Sequence, residues 1–157
     1  RGNVDTRIRK LDEGQYDAIM LSYAGLDALS LNSRISQTFS VSEILPSAGQ
    51  GIIALQCRSD DQEIKTTLNK INDHQTKLRA LTERNVLKVL DGDCETAVGV
   101  HSIIEEDKIT LEAELFSLDG TQRFHEKKSS NILNCEKLGT EVGKILKDKS
   151  KDSYKKK

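Results

Sequence analysis

A run of alternating apolar and polar residues constrains the fold of this chain more than any other feature. It extends from Lys108 to Phe116, and a period of two is typical of a β-strand with one buried face. Its apolar positions are Ile109, Leu111, Ala113 and Leu115. Turn-forming pairs flank the run, Glu106-Asp107 before it and Asp119-Gly120 after it. With a strand-like run at 97–105 and a third strand expected over 121–128 after the Asp119-Gly120 turn, the pattern predicts a three-stranded antiparallel sheet.

Two amphipathic segments flank the predicted sheet. The first, from about Thr76 to Leu90, has an apolar stripe at helical spacing, and the second begins at Asn131 or Asn134. The apolar face of the second contains Leu138, Val142, Ile145 and Leu146. Residues 74–148 are therefore predicted to form a compact α+β domain. The Lys-rich end, residues 149–157, is predicted to be a frayed tail.

The first third of the chain has the pattern of an α/β unit. A helix is expected from Val4 to Glu13, a short buried strand from Asp17 to Ser22, and a second helix from Tyr23 to Leu29. Gly14 is suited to the left-handed cap of the first helix. Such a succession favours a parallel sheet, so residues 1–45 are predicted to be part of an α/β domain.

The middle segment, residues 46–73, is predicted to cross between domains. Pro46 is the only proline, and with the glycines of Gly49-Gln50-Gly51 it indicates a chain reversal or a crossing. The glycine pair is typical of a turn, and a hinge or a close backbone approach is the alternative. A strand over 51–56 and a helix from Asp61 to about Asn72 are expected next.

Composition and charge exclude several classes of function. The net charge is −1, so no global basic field exists to attract nucleic acid. No apolar run approaches the ~20 residues of a membrane-spanning helix. The cysteines, Cys57, Cys94 and Cys135, lie far apart without a CxxC pair, which argues against a disulfide framework or a zinc site and favours the cytoplasm. The three histidines have no ligand spacing, so no metal is expected. The first residue is Arg1, which suggests a fragment.

Six short segments, in order and in spacing, resemble those of the porphobilinogen deaminase (hydroxymethylbilane synthase) family, and they cover residues 1 to about 99. They match the family patterns RGN-x-x-TR-x-x-KL-x-x-G, YDAI-x-L, AGL, LP-x-x-GQG, ER-x-x-L and L-x-GGC. In this chain they begin at Arg1, Tyr16, Ala24, Leu45, Glu83 and Leu90. One such motif is a weak signal, whereas six in register are specific. The chain resembles the C-terminal half of that family.

The resemblance implies a transferase that joins four porphobilinogen molecules, releases ammonia from each and finally yields hydroxymethylbilane by hydrolysis. It implies that Cys94 carries a covalent dipyrromethane cofactor through a thioether. It also implies that Arg1 and Arg7 bind carboxylates of cofactor and substrate, and that Gly25 lies near the cofactor. The family's catalytic aspartate lies upstream, so no catalytic residue is expected in this chain, which alone is expected to be inactive.

The same resemblance implies an architecture for the whole protein. Residues 1–45 would belong to the second of two periplasmic-binding-protein-like α/β domains, residues 46–73 to the first, and residues 74–148 to the cofactor-anchoring domain. The full-length protein would be a cytoplasmic monomer that acts on a small molecule, without nucleic acid or membrane. Three departures from the family pattern are Asp93 before the cysteine, Ala97 in place of proline and Ala28 in place of arginine.

The residue types suit this chemistry. A thiolate traps carbon electrophiles, and the guanidinium of arginine pairs with carboxylates through two parallel hydrogen bonds. Without the resemblance, Cys94 is more simply a small buried hydrophobe, and Arg1 and Arg7 a solvated helix start. Asp93 is expected to disfavour the thiolate. Two alternatives remain: a non-catalytic α/β module that binds small carboxylates, and an inactive truncated remnant.

Overall fold

The computed structural model describes residues 2–91 and 96–156. The chain consists of two compact units, Arg1–Ser40 and Val41–Lys157. The first contains helix α1 (Val4–Asp12) and helix α2 (Tyr23–Ala28), followed by a single 3-10 turn. Ser22 caps α2 by accepting a hydrogen bond from the backbone N–H of Gly25. Both predicted helices are confirmed, and their apolar residues Ile8 and Leu26 are buried.

Two predicted strands are wrong. Residues 18–22 and 52–57 have extended or irregular backbone without strand pairing, and the only sheet among the described residues is the later three-stranded one. A strand needs a neighbour to satisfy its backbone N–H and C=O groups, and an apolar run alone does not supply one. Several apolar side chains of these segments are accordingly exposed, Ile53 to 89%, Leu55 to 58% and Met20 to 56%.

The second unit contains the predicted α+β domain. After helix α3 (Gln62–Asn69), capped by Asp61, come helix α4 (His74–Leu90) and the strands of one sheet. The strands are β1 (Val98–Glu105), β2 (Lys108–Phe116) and β3 (Arg123–Asn131), and helix α5 (Cys135–Ser150) follows a 3-10 turn. The sheet is antiparallel in the order β1-β2-β3, which confirms the predicted meander.

The alternation of β2 places its apolar side chains in the core. Ile109, Leu111, Ala113 and Leu115 are fully buried and pack with residues of α4 and α5, among them Val86, Leu90, Leu138, Val142 and Leu146. Both helices therefore cover one face of the sheet. Two glycines let α5 approach α4 closely, since a Cβ at Gly139 would lie 2.1 Å from the carbonyl oxygen of Thr82.

The C-terminal segment differs from the frayed tail predicted for residues 149–157. Helix α5 continues to Ser150, and the chain then reverses through Lys151 and Asp152, which both have positive φ. Tyr154 is only 1% exposed and belongs to the core cluster. The charged composition of this segment predicted fraying, but one buried aromatic ring outweighs it because its apolar surface leaves water. The predicted domain boundaries at 45/46, 73/74 and 148/149 stay predictions.

Candidate functional site

The predicted anchor, Cys94, lies between the end of α4 and the start of β1. Helix α4 ends at Leu90, and Asp91 follows in the left-handed conformation, with φ of 48° and its N–H donating to the carbonyl of Leu87. Residues 92–95, which include Asp93 and Cys94, lie outside the described residues. On the far side, the carbonyl oxygen of Ala97 accepts a hydrogen bond of 3.0 Å from Phe116 N–H. The segment that carries Cys94 thus connects two fixed elements.

The C-terminal end of α4 is in contact with the end of the chain. The buried Tyr154 hydroxyl donates a 2.7 Å hydrogen bond to the carbonyl oxygen of Leu90. Lys155 Nζ lies 4.0 Å from a carboxylate oxygen of Asp91. Burial, together with the carboxylates of Asp152 and Asp91, raises the pKa of Tyr154 to about 12. The hydroxyl therefore stays a hydrogen-bond donor well above neutral pH.

A buried carboxylate fastens the loop 45–51 to the sheet. Glu83 lies on α4 and is 3% exposed. One oxygen of its carboxylate accepts a hydrogen bond from Gly49 N–H (2.8 Å). Its other oxygen accepts from Ser102 N–H (2.9 Å) and Ser102 Oγ (2.8 Å). Val100 N–H also donates to the carbonyl oxygen of Pro46 at 2.7 Å. The LP-x-x-GQG segment and the ER pair are therefore joined in space.

The glycines of loop 45–51 form the predicted turn and not a close backbone approach, since nothing lies within 4 Å of a Cβ built at Gly49 or Gly51. Gly49 and Gly51 have φ of 76° and 78°, and Gln50 N–H donates to the carbonyl of Ser47 at 3.0 Å, which defines a turn. The close approach to this loop is made instead by a glycine of strand β1. A Cβ on Gly99 would lie 2.7 Å from the Cβ of Leu45. The turn prediction is confirmed.

The first unit contains two of the four predicted site residues, Arg7 and Gly25. The half-buried Arg7 donates from Nη2 to the carbonyl oxygen of Met20 at 2.8 Å, two residues before the cap of α2. Gly25 lies in the first turn of α2, where a Cβ would be 2.8 Å from Ser22 Oγ and 3.8 Å from a methyl group of Val4. The starts of α1 and α2 are thus adjacent. Arg1 lies outside the described residues.

Other candidate side chains have structural roles. Cys135 is buried in the core cluster at the start of α5, whereas Cys57 is half-buried. His125 Nε2 lies 2.9 Å from a carboxylate oxygen of Glu112. Burial and the neighbouring Arg79 lower the pKa of His101. Within residues 2–91 and 96–156, no group of three His, Cys, Asp or Glu side chains is arranged to hold a metal.

Sequence reasoning missed Glu83 and Tyr154. A signal for Glu83 exists, because it lies three and seven residues before Val86 and Leu90 on the apolar face of α4. A carboxylate on that face must find donors when buried. For Tyr154 the only signal is an aromatic ring in an otherwise charged segment. Within the described part of the chain, the helices are too short or too polar for a membrane span.

Two family models together match most of the chain. Residues 1–66 match "Porphobilinogen deaminase, dipyromethane cofactor binding domain", and residues 77–148 match "Porphobilinogen deaminase, C-terminal domain". The two matched domains are consecutive in the chain and belong to one enzyme family, so the chain is a two-domain segment of such an enzyme. Cys94 falls within the second match.

Curated relatives agree. A porphobilinogen deaminase of Coxiella burnetii (strain Dugway 5J108-111) is 40% identical over 153 residues, which is 98% of this chain and 50% of the relative. One of Prochlorococcus marinus (strain MIT 9215) is 40% identical over 94% of this chain and 46% of the relative. A porphobilinogen deaminase of Nitrobacter hamburgensis is 35% identical over 98% of this chain and 49% of the relative. The chain belongs to the porphobilinogen deaminase family, and it spans about half the length of the curated relatives it matches.

Proposed function

We propose that the protein containing this chain is a hydroxymethylbilane synthase, a transferase of tetrapyrrole biosynthesis. It would condense four porphobilinogen units stepwise onto a dipyrromethane cofactor, release one ammonia from each and hydrolyse the product to hydroxymethylbilane. The observation that carries the proposal is that both family models match in sequence order, with Cys94 inside the second. The dipyrromethane, when bound, supplies the pyrrole carbon to which the first substrate unit is joined.

Cys94 is proposed to hold the cofactor through a thioether. A thiolate is the nucleophile that this bond requires. The adjacent Asp93 disfavours the thiolate by charge repulsion. Formation of the bond in this protein is therefore expected to be slower at neutral pH, where Asp93 is ionised, than in a relative with glycine at that position.

Arg7, together with Arg1, is proposed to bind acetate and propionate carboxylates. The hydrogen bond from Arg7 Nη2 to Met20 fixes the plane of the guanidinium, and a guanidinium has five N–H donors in all. An oriented fork loses less conformational entropy when it binds a carboxylate. Gly25 is proposed to face the cofactor because of its place in the AGL motif, and a Cβ there would lie 2.8 Å from Ser22 Oγ. The exposed Ala28, at the end of α2, supplies no cation where the family pattern has arginine.

No residue of this chain is proposed to be catalytic, since the family's catalytic aspartate lies upstream. The 157-residue chain alone is therefore proposed to be inactive, and hydroxymethylbilane formation by the purified chain would refute this. The remaining proposals are a monomeric full-length protein, a cytoplasmic location suited to unpaired cysteines, and a small-molecule substrate without nucleic acid or membrane.

The test treats the intact protein with an acidic aldehyde reagent that colours pyrroles and maps the adduct by peptide mass. Colour together with a dipyrromethane mass on the Cys94 peptide supports the proposal. An intact protein that binds small carboxylates without an adduct is instead a non-catalytic module, and one that does neither is an inactive remnant. A Cys94→Ser variant is the matched control, because serine is nearly isosteric but a far weaker nucleophile.

A further inference from the structure

An open groove lies between the end of the chain and the loop that connects β2 to β3. The C-terminal turn, residues 150–155, reverses direction through the positive φ angles of Lys151 and Asp152. The carbonyl oxygen of Ser153 accepts a 2.9 Å hydrogen bond from Leu118 N–H, which fastens the turn to the loop. The groove has a volume of about 990 Å³. Sites for small molecules occupy about 300–1,000 Å³, so the groove is large enough for an organic ligand.

The loop that forms the opposite wall, residues 117–122, is held by its own hydrogen bonds. One carboxylate oxygen of Asp119 accepts from Ser117 Oγ, Thr121 N–H and Thr121 Oγ1 at 2.6–3.1 Å. Gln122 N–H donates to Ser117 Oγ at 3.0 Å. Both hydroxyls of the loop are therefore engaged, and the side-chain amide of Gln122 is the free donor of this wall among the described residues.

Positive charge predominates in the groove. Four lysines line it, against the carboxylates of two aspartates: Lys147, Lys151, Lys155 and Lys156, with Asp119 and Asp152. Lys147 and Lys151 are one helical turn apart, and neither forms an ion pair within the described part of the chain. The C-terminal end of α5 contributes only about half a negative charge. An anion between the two ammonium groups would therefore relieve their mutual repulsion.

The groove also contains a buried hydroxyl without a partner. Ser153 lines the groove, and its Oγ is buried and has no hydrogen bond to any described residue. Buried hydroxyls in folded proteins nearly always have a partner, because burial without one is costly. The helix dipole of α5 accounts for cations at this end of the helix, but it does not account for the hydroxyl. An anion with several oxygens would supply the missing acceptor.

We propose that this groove binds the phosphate group of a soluble small molecule. The ammonium of lysine binds phosphate as a compact point charge, and the described lining contains no arginine whose planar fork would match a flat carboxylate. Ser153 and Gln122 add neutral donors to the charged ones. Leu118, which is 47% exposed, offers an apolar contact for the organic part of the ligand. This inference does not rest on the proposed function.

The first test measures whether inorganic pyrophosphate protects individual lysines of the intact protein. Acetylation by an N-hydroxysuccinimide ester is followed by peptide mass, with and without millimolar pyrophosphate at constant ionic strength. The expected result is a several-fold slower acetylation of Lys147 and Lys151. The internal control is Lys137, which is exposed on the same helix ten residues, or about 15 Å, before Lys147. No protection of Lys147 and Lys151, or equal protection of Lys137, overturns the inference.

Variants separate binding from stability in calorimetric titrations with pyrophosphate. The double variant Lys147→Gln and Lys151→Gln should bind at least tenfold more weakly, and the control Lys137→Gln should bind as the wild type does. Ser153→Ala should bind several-fold more weakly while its urea midpoint stays equal or rises, because the substitution removes an unpartnered buried hydroxyl. A lower midpoint at unchanged affinity would mean that the hydroxyl has a structural role, and it overturns the inference.

A lipid headgroup presents the same phosphate chemistry, and sedimentation with vesicles of phosphatidylcholine and phosphatidic acid distinguishes the two sources. A soluble ligand predicts that the intact protein stays in the supernatant. Sedimentation that is lost in the lysine double variant would assign the groove to a lipid and overturn the soluble ligand.

Discussion

Replacing Glu83 by glutamine changes one atom of the buried carboxylate and tests whether it joins loop 45–51 to the sheet. The carboxylate accepts three hydrogen bonds, one from Gly49 and two from Ser102. In the least costly orientation, the amide oxygen of glutamine keeps the two bonds to Ser102. The amide NH2 group then faces Gly49 N–H, so a donor meets a donor.

The magnitude follows from this count. A hydrogen bond to a charged group contributes about 1.5–3 kcal/mol, so losing the Gly49 bond should lower the free energy of unfolding by about 2–3 kcal/mol. Glu83→Ala leaves all three donors without this acceptor and opens a cavity, so its cost should reach about 4–5 kcal/mol. The matched control is Glu141→Gln, which breaks the exposed 3.3 Å pair with Lys128. Such surface pairs contribute only about 0–1 kcal/mol.

Urea unfolding followed by far-UV circular dichroism measures these differences, and hydrogen exchange locates them. The amide of Gly49 should exchange faster in Glu83→Gln, while that of Ser102 should keep most of its protection. A loss of less than about 0.5 kcal/mol in Glu83→Gln, within the range of an ordinary surface substitution, would contradict the reasoning. So would an equal loss in Glu141→Gln.

Three further predictions concern packing and pH. Gly139→Ala should destabilise by at least about 1–3 kcal/mol in urea unfolding, because its Cβ would meet the Thr82 carbonyl oxygen at 2.1 Å; an unchanged midpoint would exclude this close contact. Hydrogen bonds from Ser117 and Thr121 lower the pKa of Asp119 to about 2. The contribution of Asp119 to stability is therefore present above pH ~4 and is lost as the pH falls through about 2. Asp119→Ala should flatten this part of the curve of unfolding free energy against pH, and an unaltered curve would count against the loop geometry. The pKa of Tyr154 near 12 predicts a late step in the ultraviolet titration of the protein, above the ordinary tyrosine pKa of about 10. This step should disappear in Tyr154→Phe, and a late step that persists there belongs to another residue.

The sequence predicted the α+β domain well because local patterns determine it. The period of two in Lys108–Phe116 and the turn at Glu106-Asp107 specify the meander, and the structure has the same bounds for β2. The third strand was predicted to end at Lys128 but extends to Asn131. Ser129 and Ser130 have no apolar signal, yet they pair with Thr110 and Ile109, which shows that a partner strand extends pairing beyond the pattern.

The errors have a common physical origin in contacts between distant parts of the chain. The apolar runs at 17–22 and 51–56 suit strands, but pairing requires a second strand that no local pattern specifies. Glu83 and Tyr154 act through partners 19 to 64 residues away in sequence. Arg7 and Gly25 were found through the family resemblance, and the structure places them in the same unit without testing their proposed role.

The central claim, that Cys94 anchors a dipyrromethane in the intact protein, is tested most directly by peptide mass mapping after proteolysis. The protein is prepared in its cofactor-loaded form, and the peptides containing Cys57, Cys94 and Cys135 are compared. The expected result is one dipyrromethane mass increment on the Cys94 peptide, none on the other two, and its disappearance in Cys94→Ser. An unmodified Cys94 in an active protein, or an increment on Cys57 or Cys135, would contradict the claim.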